Sequence, residues 1–327
     1  MSIFLKHANT NIKFYFKEGF TMRVKREMSP IVTITQNENE STAILEGLTL
    51  LHLNQMITKD DVVVITPNWV APASPQSGRV VGPESLRQVI RCVKACHPKR
   101  IVVASGPGQE DVTELMDAVG FSKIIEEEKV EFVNLNKGPF VSLSINHDTP
   151  CRLSLNRLYE EMTFLISFTQ LKIHEEATMS GAIKNIAMGW PAGDEQGYPK
   201  KDLGIHENLH DFITALFEKF TIDISIVSAS PAMVGTGPHA GVAKHTGLVL
   251  CGTDAVSTDV IGAKLLGFQP QAIHYLYSAI RKGLGYSTFN LEQNTGIHFK
   301  GIPLPEAEKH FSDCAYGKSF SLDEVKP

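Results

Sequence analysis

The feature that most constrains the fold is a series of short, β-branched apolar runs that alternate with segments of helical periodicity. Asp61–Thr66 reads DVVVIT and Arg100–Ala104 reads RIVVA, without the polar alternation of a half-exposed strand. Such runs are typical of parallel strands that are buried on both faces. Helical spacing follows them over Pro83–Ala95 and Val112–Val119. This order predicts an α/β protein with a doubly wound, mostly parallel sheet and helices on both faces.

The second half of the chain continues the pattern less regularly. The remaining predicted elements are strands at Ile31–Gln36, Val130–Val133, Phe164–Phe168, Ile222–Ser228 and Leu248–Cys251, an antiparallel pair at Phe140–Ile145 and Cys151–Leu155, and helices at Glu40–Asn54, His206–Phe220, Asp254–Leu266 and Gln271–Lys282. A glycine-rich loop is expected over 229–246. Residues 30–286 are expected to form the domain, with two candidate lobes at 30–138 and 139–286. Residues 1–29 are expected to be a disordered or mis-annotated extension, and residues 287–327 an irregular tail.

Composition excludes several classes of protein. The 327 residues carry a formal net charge of −5, so the basic excess of a nucleic-acid binder is missing. No apolar run approaches the length of a membrane span, and the N-terminus lacks the apolar core of a secretory signal. The five cysteines are scattered and odd in number. They indicate a reducing, cytoplasmic compartment and show no iron–sulfur motif.

The first candidate site follows the buried strand that ends at Thr66. The loop Thr66–Gly78 reads TPNWVAPASPQSG, and ligands of open α/β sheets bind beyond the carboxyl ends of strands. The side-chain amide of Asn68 could orient a substrate there through hydrogen bonds. The alternative is that Asn68 caps its own turn in a surface loop.

The second candidate site is the segment Leu171–Asn185, LKIHEEATMSGAIKN. It brings together Lys172, His174 and Lys184, three groups that bind anions or transfer protons. A histidine near two lysines has a reason to be neutral at pH 7 and to act as a base. The helical stretch after Gly181 could hold an anion with its first amide groups. The alternative is a solvated loop with ordinary lysines.

The third candidate is HENLH, which matches the HExxH pattern of zinc peptidases. On a helix it would place His206 and His210 one turn apart, as possible ligands of a divalent metal. No third ligand follows at a known spacing, so a peptidase is not favoured. The alternative is that His210, beside Ile213 and Phe217, is a histidine packed in the core.

The fourth candidate is the turn GTGPHAG over Gly235–Gly241, followed by a lysine and a histidine. Glycines let a backbone approach a ligand closely, so Gly237, His239 and Gly241 are candidate ligand-binding residues. The spacing matches neither a phosphate-binding loop with GK[ST] nor GxGxxG. The alternative is an ordinary tight turn.

Two aspartates near the next helix complete the candidates. Asp254 lies at a strand-to-helix junction, where it either caps the helix or binds substrate. Asp259 falls within an apolar helix, so it needs a partner if it is buried. That partner could be a histidine or lysine of the site.

Together these pieces resemble the domain-of-unknown-function family 362 over roughly Ile31 to Gly285. The residues that carry the resemblance are Pro67 and Asn68, Lys172 and His174, the Gly181, Ala182, Lys184 and Asn185 group, and the GPHAG turn. Thr66 stands where the family pattern has a lysine, and Ser228 stands where it has an acidic residue. Members are sometimes joined to iron–sulfur modules, which implies a redox or iron–sulfur partner protein. The family is also distantly similar to lactate racemases with a nickel cofactor, which implies proton or hydride transfer.

These observations predict an enzyme that binds a small anionic molecule and uses Lys/His acid–base chemistry. Lys172 and Lys184 would hold the charge, His174 would be the acid or base, and Asn68 and Asn185 would orient the substrate. The alternative is a non-catalytic factor that binds a metal or a redox partner, or that serves in maturation.

Overall fold

The computed structural model describes residues 29–69, 71–287 and 297–317, and also the backbone of four short strands nearer the N-terminus. Those strands form two antiparallel pairs: β1 (Lys6–His7) with β2 (Thr10–Asn11), and β3 (Tyr15–Lys17) with β4 (Phe20–Met22). The rest of the predicted N-terminal extension lies outside the described residues.

A ten-stranded, mostly parallel sheet organises the domain, as predicted. Its strands are β5 (Ile31–Gln36), β6 (Val62–Pro67), β7 (Arg100–Ser105), β8 (Glu131–Asn134), β11 (Phe164–His174), β12 (Thr178–Ser180), β13 (Ile224–Val234), β14 (Val242–Lys244), β15 (Leu248–Gly252) and β16 (His298–Gly301). The main order is β16-β5-β15-β13-β11-β6-β7-β8. In that order only β15 runs antiparallel to its neighbours. The predicted antiparallel pair forms separately, as β9 (Phe140–Ser144) and β10 (Arg152–Asn156).

Helices cover both faces of the sheet, which confirms the doubly wound architecture. They are α1 (Glu40–Leu50), α2 (Pro83–Lys94), α3 (Val112–Val119), α4 (Phe121–Glu128), α5 (Leu158–Glu161), α6 (Ala182–Gly189), α7 (Gly193–Gln196), α8 (Leu209–Phe217), α9 (Ala255–Leu265), α10 (His274–Arg281) and α11 (Leu304–Tyr316). Helices α1 to α4 pack in one apolar core, and α6 and α8 to α11 pack in the other. Among the described helices, none has the length and apolar character needed to cross a bilayer.

Two central strands extend well past their predicted ends. The strand predicted to end at Phe168 continues to His174, and the one predicted to end at Ser228 continues to Val234. Each extension pairs with a short antiparallel strand, β12 or β14, and so forms one arm of a hairpin. The prediction of a glycine-rich loop over 229–246 is therefore wrong for its first part. These arms place Lys172 and His174 on strand backbone rather than in a flexible loop.

The C-terminal segment also differs from its prediction. The irregular tail is wrong for 298–316, because β16 pairs with β5 and α11 is a helix that packs against α9. The buried side chains of α11 recur at helical spacing: Leu304, Ala307, Phe311 and Ala315. Strands from both candidate lobes share the large sheet, so no boundary near residue 138 divides it.

Candidate functional site

A cavity of about 310 Å³ lies where the parallel strands β6, β7 and β11 end. Further walls come from α6, the segment before α8 and the turn after β13. Its polar and charged lining residues are Asn68, Ser105, Thr169, Lys172, His174, Glu175, Glu176, Ser180, Lys184, Asn185, Lys200, Lys201, His206 and His239. This is the edge at which open α/β sheets bind ligands, and distant parts of the chain meet there.

Lys172 lies on the extended arm of β11 and is 2% exposed. Its Nζ donates hydrogen bonds to Oδ1 of Asn68 and, at 2.9 Å, to the carbonyl oxygen of Arg79. Burial, together with the positive charges of Lys184 and Arg79, lowers the pKa of Lys172 to about 7. Near neutral pH this amine is therefore present in both protonation states, which suits acid–base chemistry.

Lys184 lies in the first turn of α6 and is half-buried in the cavity wall. Within the described residues, its Nζ has neither a hydrogen-bond partner nor an ion pair. Burial lowers the pKa of Lys184 to about 8, although the negative charge of Glu176 acts in the opposite direction. The amine is thus free to contact a bound molecule.

Lys200 is a third cavity amine, and sequence reasoning missed it. It is 2% exposed, and its Nζ donates to the carbonyl oxygens of Gly106, Met188 and Gly189. The last two belong to the C-terminus of α6, where the helix dipole favours a cation. Burial lowers the pKa of Lys200 to about 7. No local motif marks this lysine, because its partners come from elsewhere in the chain.

We call Lys172, Lys184 and Lys200 the cavity lysines. In the part of the chain that the structure describes, none of them forms an ion pair with a carboxylate. Buried charges in proteins are usually paired, because an uncompensated charge is costly away from water. An anion that entered the cavity would supply the missing negative charge.

His174 has a fixed tautomer. Its Nδ1 accepts hydrogen bonds from the backbone N–H groups of Glu176 and Ala177, each at 3.2 Å. The neutral ring therefore carries its hydrogen on Nε2, which has no partner among the described residues. Burial and the charges of Lys184 and Lys172 lower the pKa of His174 to about 3. The ring is suited to donating a hydrogen bond and poorly suited to accepting a proton.

The two candidate asparagines line the cavity but are engaged in structural contacts. Asn68 accepts the hydrogen bond from Lys172. Asn185 donates to the carbonyl oxygen of Thr66 at 2.9 Å and to Oγ of Ser167 at 3.1 Å. Both residues therefore fix the ends of neighbouring strands. A ligand could bond to the donor or acceptor groups of each side-chain amide that these contacts leave unused.

The turn after β13 is placed only partly as predicted. His239 lines the cavity, and its Nδ1 accepts a hydrogen bond from Nη2 of Arg79 at 2.9 Å. Gly237 supports the wall: its carbonyl accepts from Glu175 N–H at 2.8 Å, and a Cβ there would collide with the backbone of Ile173. Gly241 packs against the side chain of Met233 and does not line the cavity.

The two aspartates have structural partners. Asp254 caps α9 by accepting from the Ser257 N–H at 2.9 Å, as the alternative interpretation expects, and it does not line the cavity. Asp259 is fully buried and accepts from the N–H groups of Ala182 and Ile183 at 2.7 and 3.0 Å. Burial raises the pKa of Asp259 to about 7. These two amide groups of α6 are therefore occupied, and the prediction that they hold an anion is wrong.

The histidines of HENLH do not form the predicted pair. Helix α8 begins at Leu209, so His206 lies outside it and the two rings are not one helical turn apart. His206 pairs with Oε2 of Glu176 at 3.0 Å, while His210 Nδ1 accepts from the Tyr275 N–H at 3.2 Å. In the described ranges, no three His, Cys, Asp or Glu side chains are grouped to hold a metal. Within those ranges, His206 and His210 therefore belong to no such group.

The two departures from the family pattern have local explanations. The Oγ1 of Thr66 accepts from the indole N–H of Trp190 at 3.3 Å, so its side chain belongs to the core. Ser228 is hydrogen-bonded to Glu40 at the start of α1, and Glu40 also accepts from Ser85. Burial raises the pKa of Glu40, against the effect of these hydrogen bonds. A carboxyl group thus lies beside Ser228, supplied by another element.

The comparison with protein families agrees with the motifs. The family model described as "Domain of unknown function (DUF362)" matches residues 63–264. The thylakoid-associated protein sll1697 of Synechocystis sp. is 22% identical over 261 residues, which cover 78% of this chain and 79% of that protein. The lactate racemase apoprotein from Thermoanaerobacterium thermosaccharolyticum aligns with a TM-score of 0.38 and 17% identity. That alignment covers 72% of this chain and 56% of the racemase chain, so it spans little more than half of the racemase.

Proposed function

The chain belongs to the DUF362 family, and we propose that it is an enzyme that binds a small organic anion in the cavity and transfers a proton. The observation that carries this proposal is the uncompensated charge of the cavity lysines. Of the four lysines that line the cavity, only Lys201 has a carboxylate partner within the described residues, and the three cavity lysines have none. A bound anion would offset the free-energy cost of burying these positive charges without a negative partner.

The roles proposed for individual groups follow from their hydrogen bonds. Lys172 is the acid or base, because its pKa of about 7 allows both protonation states. His174 stabilises negative charge that develops on a substrate oxygen, because its Nε2–H is a fixed neutral donor. Lys184 contacts the anion directly. This exchanges the roles that the sequence predicts for Lys172 and His174.

Ligand-dependent stabilisation tests the proposal. Thermal unfolding would be measured with acetate, lactate, oxalate and inorganic phosphate at matched ionic strength. We expect at least one of these anions to raise the unfolding temperature of the wild type, because a ligand that binds only the folded state stabilises it. The shift should be lost in Lys172→Met. Equal shifts in the wild type and the variant, or none with any anion, would contradict the proposal.

A further inference from the structure

The amine of Lys184 differs from the other two cavity amines in its freedom. Lys172 donates to an asparagine and a carbonyl oxygen, and Lys200 donates to three carbonyl oxygens. Lys184 has no such partner among the described residues, yet it lines the same cavity. Its nitrogen can therefore approach a bound molecule without breaking a hydrogen bond of the protein.

The protonation state of Lys184 also favours reaction. A solvent-exposed lysine has a pKa near 10.4, whereas burial lowers that of Lys184 to about 8. At pH 7.5 the neutral fraction of such an amine is roughly two-hundredfold larger than that of an exposed lysine. The neutral amine carries the lone pair that attacks an electrophile, and desolvation is a known way to activate a lysine.

We propose that Lys184 forms an imine with the carbonyl carbon of a small 2-oxo acid bound in the cavity. This rests on the proposed function, and it names the class of anion. The one free N–H of Lys172, which donates its other two hydrogens to protein oxygens, would lie between the carboxylate and the carbonyl oxygen of the acid. The carbonyl oxygen would accept from Nε2–H of His174.

The step balances without an oxidant or a reductant. The Lys184 nitrogen bonds the carbonyl carbon, the C=O π electrons move to oxygen, and the nitrogen loses a proton. The oxygen takes one proton to become a carbinolamine hydroxyl and a second, from the Lys172 ammonium, to leave as water. The C–O bond breaks as the nitrogen lone pair forms C=N, which yields an iminium and one water.

Reductive trapping tests the inference on the full chain. The protein would be incubated with glyoxylate or pyruvate and sodium cyanoborohydride at pH 7.5, then followed by intact-mass and peptide mass spectrometry. We expect one reduced adduct per chain, at Lys184, formed at least about tenfold faster than at Lys201. Lys201 is a suitable internal reference, because it lines the same cavity but is more than half exposed and pairs with Glu176. Lactate and acetate, which have no ketone or aldehyde carbonyl, should leave the mass unchanged.

A matched pair of variants separates charge from nucleophilicity. Lys184→Arg keeps a cation but has no neutral amine at this pH, so it should lose labelling at least about tenfold while still being stabilised by lactate. Lys201→Arg should be labelled at Lys184 like the wild type. Circular dichroism would show whether each variant is folded, and the wild-type peptide map decides the question if Lys184→Arg is not.

The possible failures are distinguishable. Labelling spread over exposed lysines, or an unlabelled Lys184 in a protein that lactate or phosphate still stabilises, would overturn the imine and leave the anion site standing. No labelling together with no stabilisation by any anion would overturn both.

Discussion

The cations of α2 and the cavity lysines differ in whether a carboxylate compensates their charge. On α2, three cations surround one carboxylate of α4: Arg87, Arg91 and Lys94 contact Glu128 at 3.3, 2.8 and 3.1 Å. Burial raises the pKa of Glu128, but these hydrogen bonds outweigh it and hold the pKa below its usual value. At the cavity, none of the described carboxylates forms an ion pair with the lysines, and burial lowers their pKa values to about 7 or 8, although the charge of Glu176 opposes this at Lys184.

The charges between α2 and α4 have a structural role, whereas the charges of the cavity lysines are suited to binding a ligand. The α2–α4 cluster of Arg87, Arg91, Lys94 and Glu128 is complete within the chain, so it holds two helices together. Within the described residues no carboxylate forms an ion pair with a cavity lysine, so a bound anion would compensate their charge. Four variants or conditions test this comparison.

The largest effect is expected for Asp259→Ala. Its carboxyl lies at the start of α6, the helix that carries Lys184. There it accepts hydrogen bonds from two backbone N–H groups and not from the lysine amine. Removal leaves buried N–H groups unsatisfied and should lower the free energy of unfolding by about 2–4 kcal/mol, measured by urea denaturation. The control is Asp111→Ala, which removes an exposed cap of α3 and should cost about 1 kcal/mol. Equal losses would mean that burial of the Asp259 contacts adds nothing.

Next comes Lys172→Met, compared with Lys94→Met. A charge-assisted hydrogen bond contributes about 1.5–3 kcal/mol, so Lys172→Met should weaken the binding of a stabilising anion by roughly ten- to a hundredfold. Isothermal titration calorimetry would measure it. Lys94→Met should leave the affinity unchanged, because its amine pairs with Glu128. Similar losses in both variants would show that net charge, and not the cavity, attracts the anion.

A smaller effect on stability is expected for Glu128→Gln. The carboxylate is largely buried, but its partners Arg91 and Lys94 are partly exposed, which screens the attraction. We expect a loss of about 1–2 kcal/mol in the free energy of unfolding, with unchanged anion binding. Weaker anion binding in this variant would show that the two groups of cations are coupled.

The smallest effect concerns pH. Anion binding favours protonated Lys172, whose pKa in the free protein is about 7. The protonated fraction falls about fourfold between pH 6 and pH 7.5, and the affinity should fall with it. The free energy of unfolding should change with pH in the opposite direction. A lysine whose pKa is lowered by folding destabilises the folded state when it is protonated, so the stability should rise between pH 7 and pH 10. Lys172→Met should weaken both trends relative to the wild type without removing them, because the pKa values of Lys184 and Lys200 are also lowered. Unchanged trends would exclude Lys172 as a source.

Part of the site was predictable because its residues follow recognisable strands. The apolar run before Asn68 marks a buried strand, and carboxyl ends of parallel strands meet at one edge. The cationic residues of LKIHEEATMSGAIKN were therefore expected near Asn68, and Lys172, His174 and Lys184 do line one cavity with it. Their chemical roles stay predictions.

The errors share one cause: a local sequence pattern does not show which distant residues its side chains and backbone amides will contact. HENLH is spaced for a helix, but α8 begins only at Leu209. The amides after Gly181 are typical of an anion site, but a carboxyl from α9 occupies them. Lys200 has no motif at all, and its amine reaches a carbonyl 94 residues away.

By itself, the sequence determined the layered α/β architecture, because the period of apolar residues decides whether a segment forms a strand or a helix. It also determined which residue types could bind an anion. Only the tertiary structure decided which of their charges go unpaired, which nitrogen of His174 keeps its hydrogen, and which lysine is free. Those properties depend on burial and on contacts between distant segments, and both arise only when the chain closes around the cavity.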